Sequence, residues 1–255
     1  MPVFTKAIVR KPSRSMVNGL STAGLGRPDH GKALAQHDAY VQALRECGLA
    51  VTELAAAEAY PDSVFIEDTA CLSEKAAIIA RPGAASRLGE EASVIAALQA
   101  FYERLEHISD PGTLEGGDVM RAGSRFYVGL SARTNPEGAR QFAALLERLG
   151  CEAIPVPLRD VLHLKTGISY LENNRLLASG EFLGHPLLSS FDRIPVPEAE
   201  SYAANSLWIN GRVLVPDGFP RTREAIERAG YATVALDVSE FRKLDGGLSC
   251  LSLRF

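Results

Sequence analysis

The sequence has 255 residues and a formal net charge of −4 at pH 7, and 46% of its residues are hydrophobic. This composition is that of a globular chain, one domain or two small ones, and it excludes a disordered or fibrous protein. No block of Lys and Arg indicates a nucleic acid or an anionic membrane as partner. The apolar runs are too short to cross a bilayer, and the first residues lack the apolar core of a signal peptide, so we expect a cytoplasmic protein.

The four cysteines are spread along the chain with no Cys-x-x-Cys pair and no histidine at ligand spacing. They are Cys47, Cys71, Cys151 and Cys250. This distribution predicts neither a zinc site nor a disulfide framework, and we expect the thiols to be reduced.

The hydrophobic pattern predicts short strands that alternate with helices. In chain order, strands are predicted at residues 6–10, 50–54, 76–80, 107–108, 125–128 and 152–156. Helices are predicted at residues 33–47, 89 to about 105, 136–149 and 221–229. Residues 15–21 are rich in turn formers and lack a hydrophobic period, which predicts a loop. A further strand is expected to carry Glu67 and Asp68, two carboxylates within apolar residues.

The order of the predicted elements repeats. Openings that resemble one another occur near residues 60–72, 112–120, 162–167, 204–208 and 248–250, a spacing of roughly 40 to 50 residues that is typical of propellers and repeat arrays. We therefore predict five strand–strand–helix–strand modules. If the modules close in a ring, polar residues of the opening strands converge at one end of its axis. These residues are Glu67, Asp68, Glu115, Asp118, His163 and Cys250.

Cys250 is the candidate nucleophile. It follows Gly246-Gly247, a pair that permits a sharp turn and can direct the cysteine into a cleft. Taken alone, a small residue in an apolar segment is more simply explained as core. A thiolate also needs a neighbouring base or cation, and His163 is the best candidate because the other histidines lie in helix or loop contexts. A single histidine in an apolar strand is itself more often a core residue.

The carboxylates are informative because they raise the pKa of a nearby thiol, which is unfavourable in an ordinary cysteine protease. Carboxylates close to a cysteine nucleophile are compatible with catalysis if the substrate itself carries a positive charge. A guanidinium held by Asp68 and Glu115 would present its carbon to Cys250 and stabilise the thiolate. The alternatives are a solvated surface or a metal site; the apolar context of Glu67 and Asp68 argues against plain surface.

Five stretches of the chain carry a resemblance to a known family. They are residues 60–68 (YPDSVFIED), 115–118 (EGGD), 131–135 (SARTN), 163–167 (HLKTG) and 245–250 (DGGLSC). In this order they resemble the dimethylarginine dimethylaminohydrolase family, within the guanidino-modifying superfamily, over essentially the whole chain. The resemblance implies an α/β fold, a five-module pseudosymmetric α/β propeller of ββαβ repeats, formed by residues 1–255 as one catalytic domain.

The resemblance also implies residue roles. Cys250 would attack the guanidinium carbon, and His163, oriented by Glu115, would protonate the departing amine and later activate water. Asp68, with Glu67 beside it, would bind the guanidinium nitrogens, and Arg87 and Arg133 would clamp the substrate carboxylate. Asp62 and the carbonyls of Leu20 and Leu244 would hold the α-ammonium. Phe65 and Ser249 complete the expected binding residues, and residues 18–26 resemble the family's lid.

The implied reaction is hydrolysis of dimethylarginine and monomethylarginine to citrulline and an amine, with no cofactor, no metal and a small-molecule substrate as the partner. A homodimer is plausible from the family. One departure bears on specificity: deiminases of the superfamily carry His-x-Asp and Gly-Gly-x-x-His-Cys, whereas this chain has Lys165 and Ser249 at those positions. The alternatives are a hydrolase of another guanidino or ureido compound and a propeller that only binds a partner.

Overall fold

The computed structural model describes residues 3–255, which form an α/β fold with five separate three-stranded sheets. The strands are β1 Lys6–Arg10, β2 Ala50–Leu54, β3 Ala70–Leu72, β4 Ala77–Ile79, β5 Leu105–His107, β6 Val119–Ala122, β7 Arg125–Leu130, β8 Glu152–Pro157, β9 Ile168–Tyr170, β10 Arg175–Ala178, β11 Asp192–Pro195, β12 Leu207–Ile209, β13 Arg212–Pro216, β14 Ala232–Leu236 and β15 Leu253–Arg254. The α-helices are α1 His30–Glu46, α2 Ala92–Leu98, α3 Pro136–Arg148, α4 Leu164–Gly167, α5 Pro220–Arg228 and α6 Ser239–Arg242. The 3-10 turns are Arg14–Asn18, Ile66–Thr69, Ala85–Arg87, Gly116–Asp118, Gly180–Phe182, Pro186–Leu188, Glu198–Ala204 and Ser249–Leu251.

All five sheets share one topology. A central strand pairs antiparallel with one neighbour and parallel with the other. The strand orders are β15-β1-β2, β3-β4-β5, β6-β7-β8, β9-β10-β11 and β12-β13-β14. A parallel pair needs a crossover connection, and α1, α2, α3 and α5 each lie in one. The prediction of a helix in every module is wrong for the sheet β9-β10-β11, whose crossover between β10 and β11 contains two 3-10 turns instead.

The long helices begin and end close to their predicted bounds because their caps are local. The side chain of Asp29 accepts a hydrogen bond from the Lys32 amide at the start of α1, and Gly48, with φ at +92°, ends that segment. Asn135 caps α3 in the same way through the Gly138 amide, and Pro136 occupies the first turn. Both helices bury an apolar stripe against their sheets.

The second predicted helix was overextended. Residues 89 to about 105 were expected to be helical, but α2 spans only Ala92–Leu98, and the following strand is Leu105–His107 rather than residues 107–108. Leu105 pairs with Ala77 of β4, which commits this part of the chain to the sheet. Phe101 and Tyr102 leave the helix to pack on Phe255, with ring centroids 5.1 and 5.4 Å away.

A short helical turn precedes the first strand of every sheet. These turns are Ile66–Thr69, Gly116–Asp118, α4, Glu198–Ala204 and Ser249–Leu251. The turn at Ile66–Thr69 contacts those at Gly116–Asp118 and Ser249–Leu251, and α4 contacts those at Gly116–Asp118 and Glu198–Ala204. Glu67 and Asp68 therefore lie in a turn before β3, so their predicted position within a strand was wrong. The turns bring residues that are distant in sequence to one end of the sheets.

The hydrophobic core consists of five clusters distributed among the sheets and their helices. One of them packs α1 and β1 against the segment that leads to Cys250, and Cys250 itself contacts this cluster. None of the helices within residues 3–255 combines the length and apolar character needed to span a lipid bilayer.

Candidate active site

Two adjoining cavities share Cys250, His163 and Asp245 on their walls. The larger has a volume of about 150 Å³, and ten predicted site residues line it: Leu20, Asp62, Phe65, Asp68, Arg87, Glu115, Arg133, His163, Leu244 and Cys250. The smaller, of about 30 Å³, is lined by Gly117, His163, Lys165, Thr166, Tyr202, Asn205, Asp245, Gly247 and Cys250. A water molecule needs roughly 10–15 Å³ of such space, so the smaller cavity has room for about two.

His163 is held by Glu115. Nε2 of His163 lies 2.8 Å from Oε2 of Glu115, whose side chain is fully buried. The other oxygen of Glu115 accepts a hydrogen bond from the Gly83 amide at 3.0 Å. A Cβ on Gly117 would lie 2.7 Å from Nδ1 of His163, so only glycine allows the ring to lie against the backbone here. With Nε2 engaged by Glu115, Nδ1 is the ring nitrogen left for proton transfer.

The electrostatics of His163 favour the imidazolium. Burial lowers its pKa, but the charge of Asp68, the hydrogen bond to Glu115 and the charge of Asp118 outweigh burial and raise the pKa to about 9. Asp118 accepts hydrogen bonds from the Leu164 amide at 3.0 Å and from the Ser131 hydroxyl at 2.6 Å. His163 is therefore positively charged at neutral pH and able to donate a proton.

Cys250 is partly buried on the Ser249–Leu251 turn. Burial, together with the charges of Glu67 and Asp68, raises the pKa of its thiol to about 12. The Gly247 amide donates to Sγ at 3.4 Å and acts in the opposite direction, as does the charge of Lys165. Without a bound cation the thiol is thus protonated at neutral pH, and a cation placed beside Asp68 would favour the thiolate.

Asp68 and Arg87 form a buried ion pair on the wall of the larger cavity. Nη1 of Arg87 lies 2.6 Å from Oδ2 of Asp68, and the Gly117 amide donates to Oδ1 at 2.8 Å. Burial raises the pKa of Asp68, but Arg87, His163 and the amide outweigh it, so the pKa is lowered and the carboxylate stays ionised. Arg87 also binds Glu90 through Nε and Nη2, and burial raises the pKa of Glu90 to about 7 despite this contact.

Glu67 and Ser249 line neither cavity, and their contact with substrate stays a prediction. The Ser249 hydroxyl donates to Glu67 at 2.8 Å. Lys165 Nζ and Arg254 Nη2 lie 2.6 and 2.8 Å from Oε1 of Glu67. The Glu67 carboxylate is thus bound by two cations and by the hydroxyl of the residue that precedes Cys250.

The other end of the larger cavity carries the residues expected to bind the amino-acid part of a substrate. The Leu20 amide donates to Oδ1 of Asp62 at 2.9 Å, and Leu244 packs nearby on Gly19. Burial raises the pKa of Asp62, and Arg87 and the Leu20 amide partly oppose this. Arg133 is partly exposed and lies 3.8 Å from Glu115, so its guanidinium has donors free to face the cavity.

The predicted lid loop is fastened to the segment before Cys250. The Ser21 hydroxyl donates to the Lys243 carbonyl at 2.5 Å. The amide and hydroxyl of Thr22 donate to Oδ2 of Asp245 at 2.5 and 3.0 Å. Asp245 has φ at +59°, in the left-handed region that aspartate enters more readily than most residues other than glycine.

Several residues of the site were not predicted from the sequence. They are Lys165, Tyr202, Asn205, Asp245 and Arg254. Asn205 carried a usable signal, because it stands at the fourth module opening, where the other four openings supply predicted site residues. Lys165 was noted only as a departure from the deiminases. Nothing in the local sequence marks Arg254.

Asp68, Glu115 and His163 place one possible ligand atom each within 4.8 Å of one another, the one such group among residues 3–255. Its members already have partners in Arg87, in backbone amides and in each other. A metal ion would have to displace these hydrogen-bond and ion-pair partners, so the arrangement does not indicate a metal site.

Comparison with known proteins identifies the family. Residues 28–178 match the family model described as N,N dimethylarginine dimethylhydrolase, eukaryotic. The chain is 52% identical to N(G),N(G)-dimethylarginine dimethylaminohydrolase of Pseudomonas aeruginosa over 254 residues, covering 99% of this chain and 100% of the relative. A crystal structure of the Pseudomonas aeruginosa enzyme, a cysteine-to-serine variant complexed with citrulline, superposes with a TM-score of 0.98 over 100% of both chains.

A second solved structure is a dimethylarginine dimethylaminohydrolase adduct with S-methyl-L-thiocitrulline, in a histidine-to-glycine variant. It is 52% identical to this chain, with a TM-score of 0.98 over 99% of this chain and 100% of the other. Sequence and fold agree over the full described length. The chain therefore belongs to the dimethylarginine dimethylaminohydrolase family.

Proposed function

We propose that this protein hydrolyses N-omega,N-omega-dimethyl-L-arginine and N-omega-methyl-L-arginine to L-citrulline and dimethylamine or methylamine, without a cofactor. The observation that carries the proposal is the shared wall of the two cavities, where Cys250 stands beside an imidazolium held by Glu115. The citrulline complex and the thiocitrulline adduct of the relatives support the same substrate class and a covalent step.

The first half of the reaction follows from the charges of the site. The guanidinium of the substrate lies against Asp68, and its positive charge lowers the pKa of the Cys250 thiol so that the proton leaves to solvent. The thiolate attacks the guanidinium carbon. His163 donates its Nδ1 proton to the nitrogen of the departing amine, and the tetrahedral adduct collapses to an S-alkylthiouronium intermediate on Cys250.

The second half uses His163 in the opposite sense. Neutral after the first step, it accepts a proton from a water molecule, and the water oxygen attacks the thiouronium carbon. Taking this proton restores the imidazolium. Collapse of the second adduct then breaks the C–S bond and restores the thiolate, and the remaining hydroxyl proton passes to solvent as neutral citrulline is released. The small cavity beside Cys250 and His163 has the volume for this water.

Binding of the amino-acid end is assigned by position. Arg133 and Arg87 take the substrate carboxylate, while Asp62 and the carbonyls of Leu20 and Leu244 take the α-ammonium. Arg87 already bonds Asp68, Glu90 and the Phe65 carbonyl, which leaves one Nη1 hydrogen for a ligand. Arg133 is the less engaged of the two and is the stronger candidate for the carboxylate.

We further propose that residues 1–255 act as a single catalytic domain in which the five sheets close into an α/β propeller. The shared topology of the sheets and the contacts between successive turns support this arrangement. A cytoplasmic location and a homodimer remain proposals drawn from the sequence.

The test is citrulline release from dimethylarginine and from arginine, measured side by side with the Cys250→Ser and Cys151→Ser variants. We expect turnover of dimethylarginine, loss of at least about 10³-fold in Cys250→Ser, and near-native activity in Cys151→Ser, whose cysteine lies outside both cavities. Preference for arginine would assign the protein to the deiminases. Turnover of neither compound would favour another guanidino substrate or a binding-only role.

A further inference from the structure

Asn205 is a buried residue at the end of the Glu198–Ala204 turn, and its side chain makes three hydrogen bonds. Oδ1 accepts from the Ser249 amide at 3.0 Å. Nδ2 donates to the Ser249 hydroxyl at 3.0 Å and to the Lys165 carbonyl at 2.9 Å. Both N–H groups of the amide and its oxygen are therefore used, and all three bonds cross long distances in the sequence.

Both partners of Asn205 adjoin reacting residues. Ser249 directly precedes Cys250, and Lys165 follows His163 by two residues on α4. A single amide group thus connects the segment that carries the nucleophile to the segment that carries the acid. The same turn is joined to the nucleophile segment a second time, because the Tyr202 hydroxyl donates to the Gly246 carbonyl at 2.8 Å.

Gly247 shows how closely the backbone approaches this amide. A Cβ at Gly247 would lie 2.5 Å from Cγ and 2.5 Å from Oδ1 of Asn205. The Gly247 amide is also the group that donates to the Cys250 sulfur at 3.4 Å. The side chain of Asn205 therefore supports, on one side, the peptide that contacts the sulfur and, on the other, the peptide that precedes Cys250.

We propose that Asn205 is a positioning residue for the reaction: it holds Cys250 in register with His163 by binding Ser249 and Lys165 and by packing on Gly247. This inference rests on the proposed function for the roles of Cys250 and His163. A purely structural asparagine would contribute to stability without setting the geometry of the reacting pair, and the two roles differ in measurable ways.

Asn210 provides a matched control. Its side chain also makes three hydrogen bonds, in this case all to backbone: Oδ1 accepts from the Phe4 amide at 2.9 Å, and Nδ2 donates to the carbonyls of Phe4 and Cys47 at 2.8 and 2.9 Å. It lines neither cavity. Because Asn210 has φ at +48°, glycine is the substitution that removes its amide without backbone strain.

The experiment compares Asn205→Ala, Asn205→Asp and Asn210→Gly in the full chain, with kcat and KM for dimethylarginine and the melting temperature of each. We expect Asn205→Ala to lower kcat about 10²-fold with KM within about threefold of native, because a small misplacement of reacting groups carries a penalty of this size. Asn205→Asp keeps the acceptor for the Ser249 amide and loses both donors, so an intermediate loss is expected. Asn210→Gly should lower the melting temperature with kcat within about twofold of native.

A second readout needs no substrate, so it tests Asn205 even if the proposed reaction fails. The rate of Cys250 alkylation by iodoacetamide should rise at least about threefold in Asn205→Ala, since the sulfur loses its packed surroundings, and should stay near native in Asn210→Gly. A kcat for Asn205→Ala within threefold of native would overturn the proposal. So would losses of activity in both asparagine variants that simply follow their losses of stability. Absence of turnover by the native protein would instead overturn the proposed function.

Discussion

His163 shows how neighbouring charges set the state of one residue. Three carboxylates surround it, and together they overcome the effect of burial on its pKa. An imidazole in this setting is a proton donor at neutral pH, whereas an isolated histidine would be largely neutral. Glu115 is the carboxylate that also fixes the ring, because its hydrogen bond leaves Nδ1 directed to the reaction.

The pH profile of the reaction should reflect this state. With a pKa of about 9, His163 loses its proton as the pH rises through 9. In the substrate complex the Cys250 thiol has already lost its proton, so we expect kcat to fall above about pH 9. Glu115→Gln keeps an oxygen that can accept from Nε2 but removes the negative charge that stabilises the imidazolium, so it should move this alkaline limb toward lower pH by about one unit and lower kcat by about 10²-fold. A pH–rate profile of both proteins measures the shift. An alkaline limb at the same pH in the variant would contradict the assigned role of Glu115.

Cys250 illustrates the opposite adjustment. Burial and the charges of Glu67 and Asp68 raise the pKa of the thiol to about 12, so the free enzyme holds its nucleophile in the unreactive form; Asp68 is the carboxylate that acts on both Cys250 and His163. The proposed substrate supplies the missing positive charge. Selectivity for a cationic guanidinium therefore follows from the charge balance of the site as well as from its shape.

At the scale of elements, the lid loop and the segment before Cys250 are joined by the hydroxyls of Ser21 and Thr22. The double variant Ser21→Ala/Thr22→Val removes these two bonds and leaves Asp245 in place. Each exposed bond contributes on the order of 0.5–1 kcal/mol, so loss of both should raise KM for dimethylarginine about five- to thirtyfold, with kcat within about threefold of native.

Thr233→Val is the control for the lid prediction, because it also removes a threonine hydroxyl. Thr233 is a partly exposed residue of β14, bonds Glu227 of α5 and lies outside both cavities. Steady-state kinetics of the two variants make the comparison. A KM for the double variant equal to that of Thr233→Val would show that the loop does not close over the substrate.

Elements with local signals were predictable from the sequence, and those fixed by distant partners were not. Helix α1 was predicted at 33–47 and lies at His30–Glu46, because its cap and apolar stripe are encoded locally. Residues 99–105 continue the helical pattern of α2, but Phe101 and Tyr102 pack on Phe255 and Leu105 joins a sheet. Such contacts form only in the folded chain, and they override local propensity.

At the scale of the whole molecule, the five-fold repetition of the elements was visible in the sequence, and it brought Cys250, His163 and Glu115 together correctly. Lys165 and Arg254 were missed as partners of Glu67 because the bonds join residues far apart in the sequence and no periodic pattern records them. The same holds for Asn205. The sequence repeat predicts which turns lie next to one another, but it does not predict which side chains pair between them.

Glu67 tests how far the turns depend on one another for stability. It lies in the turn before β3, while its cationic partners come from α4 and from β15. Glu67→Gln would leave Lys165 and Arg254 close together without their shared carboxylate, and breaking a buried pair in this way typically costs about 3–5 kcal/mol of unfolding free energy. Lys165→Met should cost less, since it leaves the pair of Glu67 and Arg254 intact.

Urea unfolding followed by circular dichroism would measure these changes, together with the double variant Glu67→Gln/Arg254→Met. Because the double variant removes one of the two uncompensated cations, it should recover on the order of 1–3 kcal/mol relative to the sum of the single losses. Additive losses, or a Glu67→Gln protein within about 1 kcal/mol of native, would show that the carboxylate does not bind the turns together. The expected coupling would instead mean that Glu67, Lys165 and Arg254 form one electrostatic contact among three modules. Because Glu67 also binds Ser249, which precedes Cys250, the stability of the fold and the position of the nucleophile would then depend on the same residues.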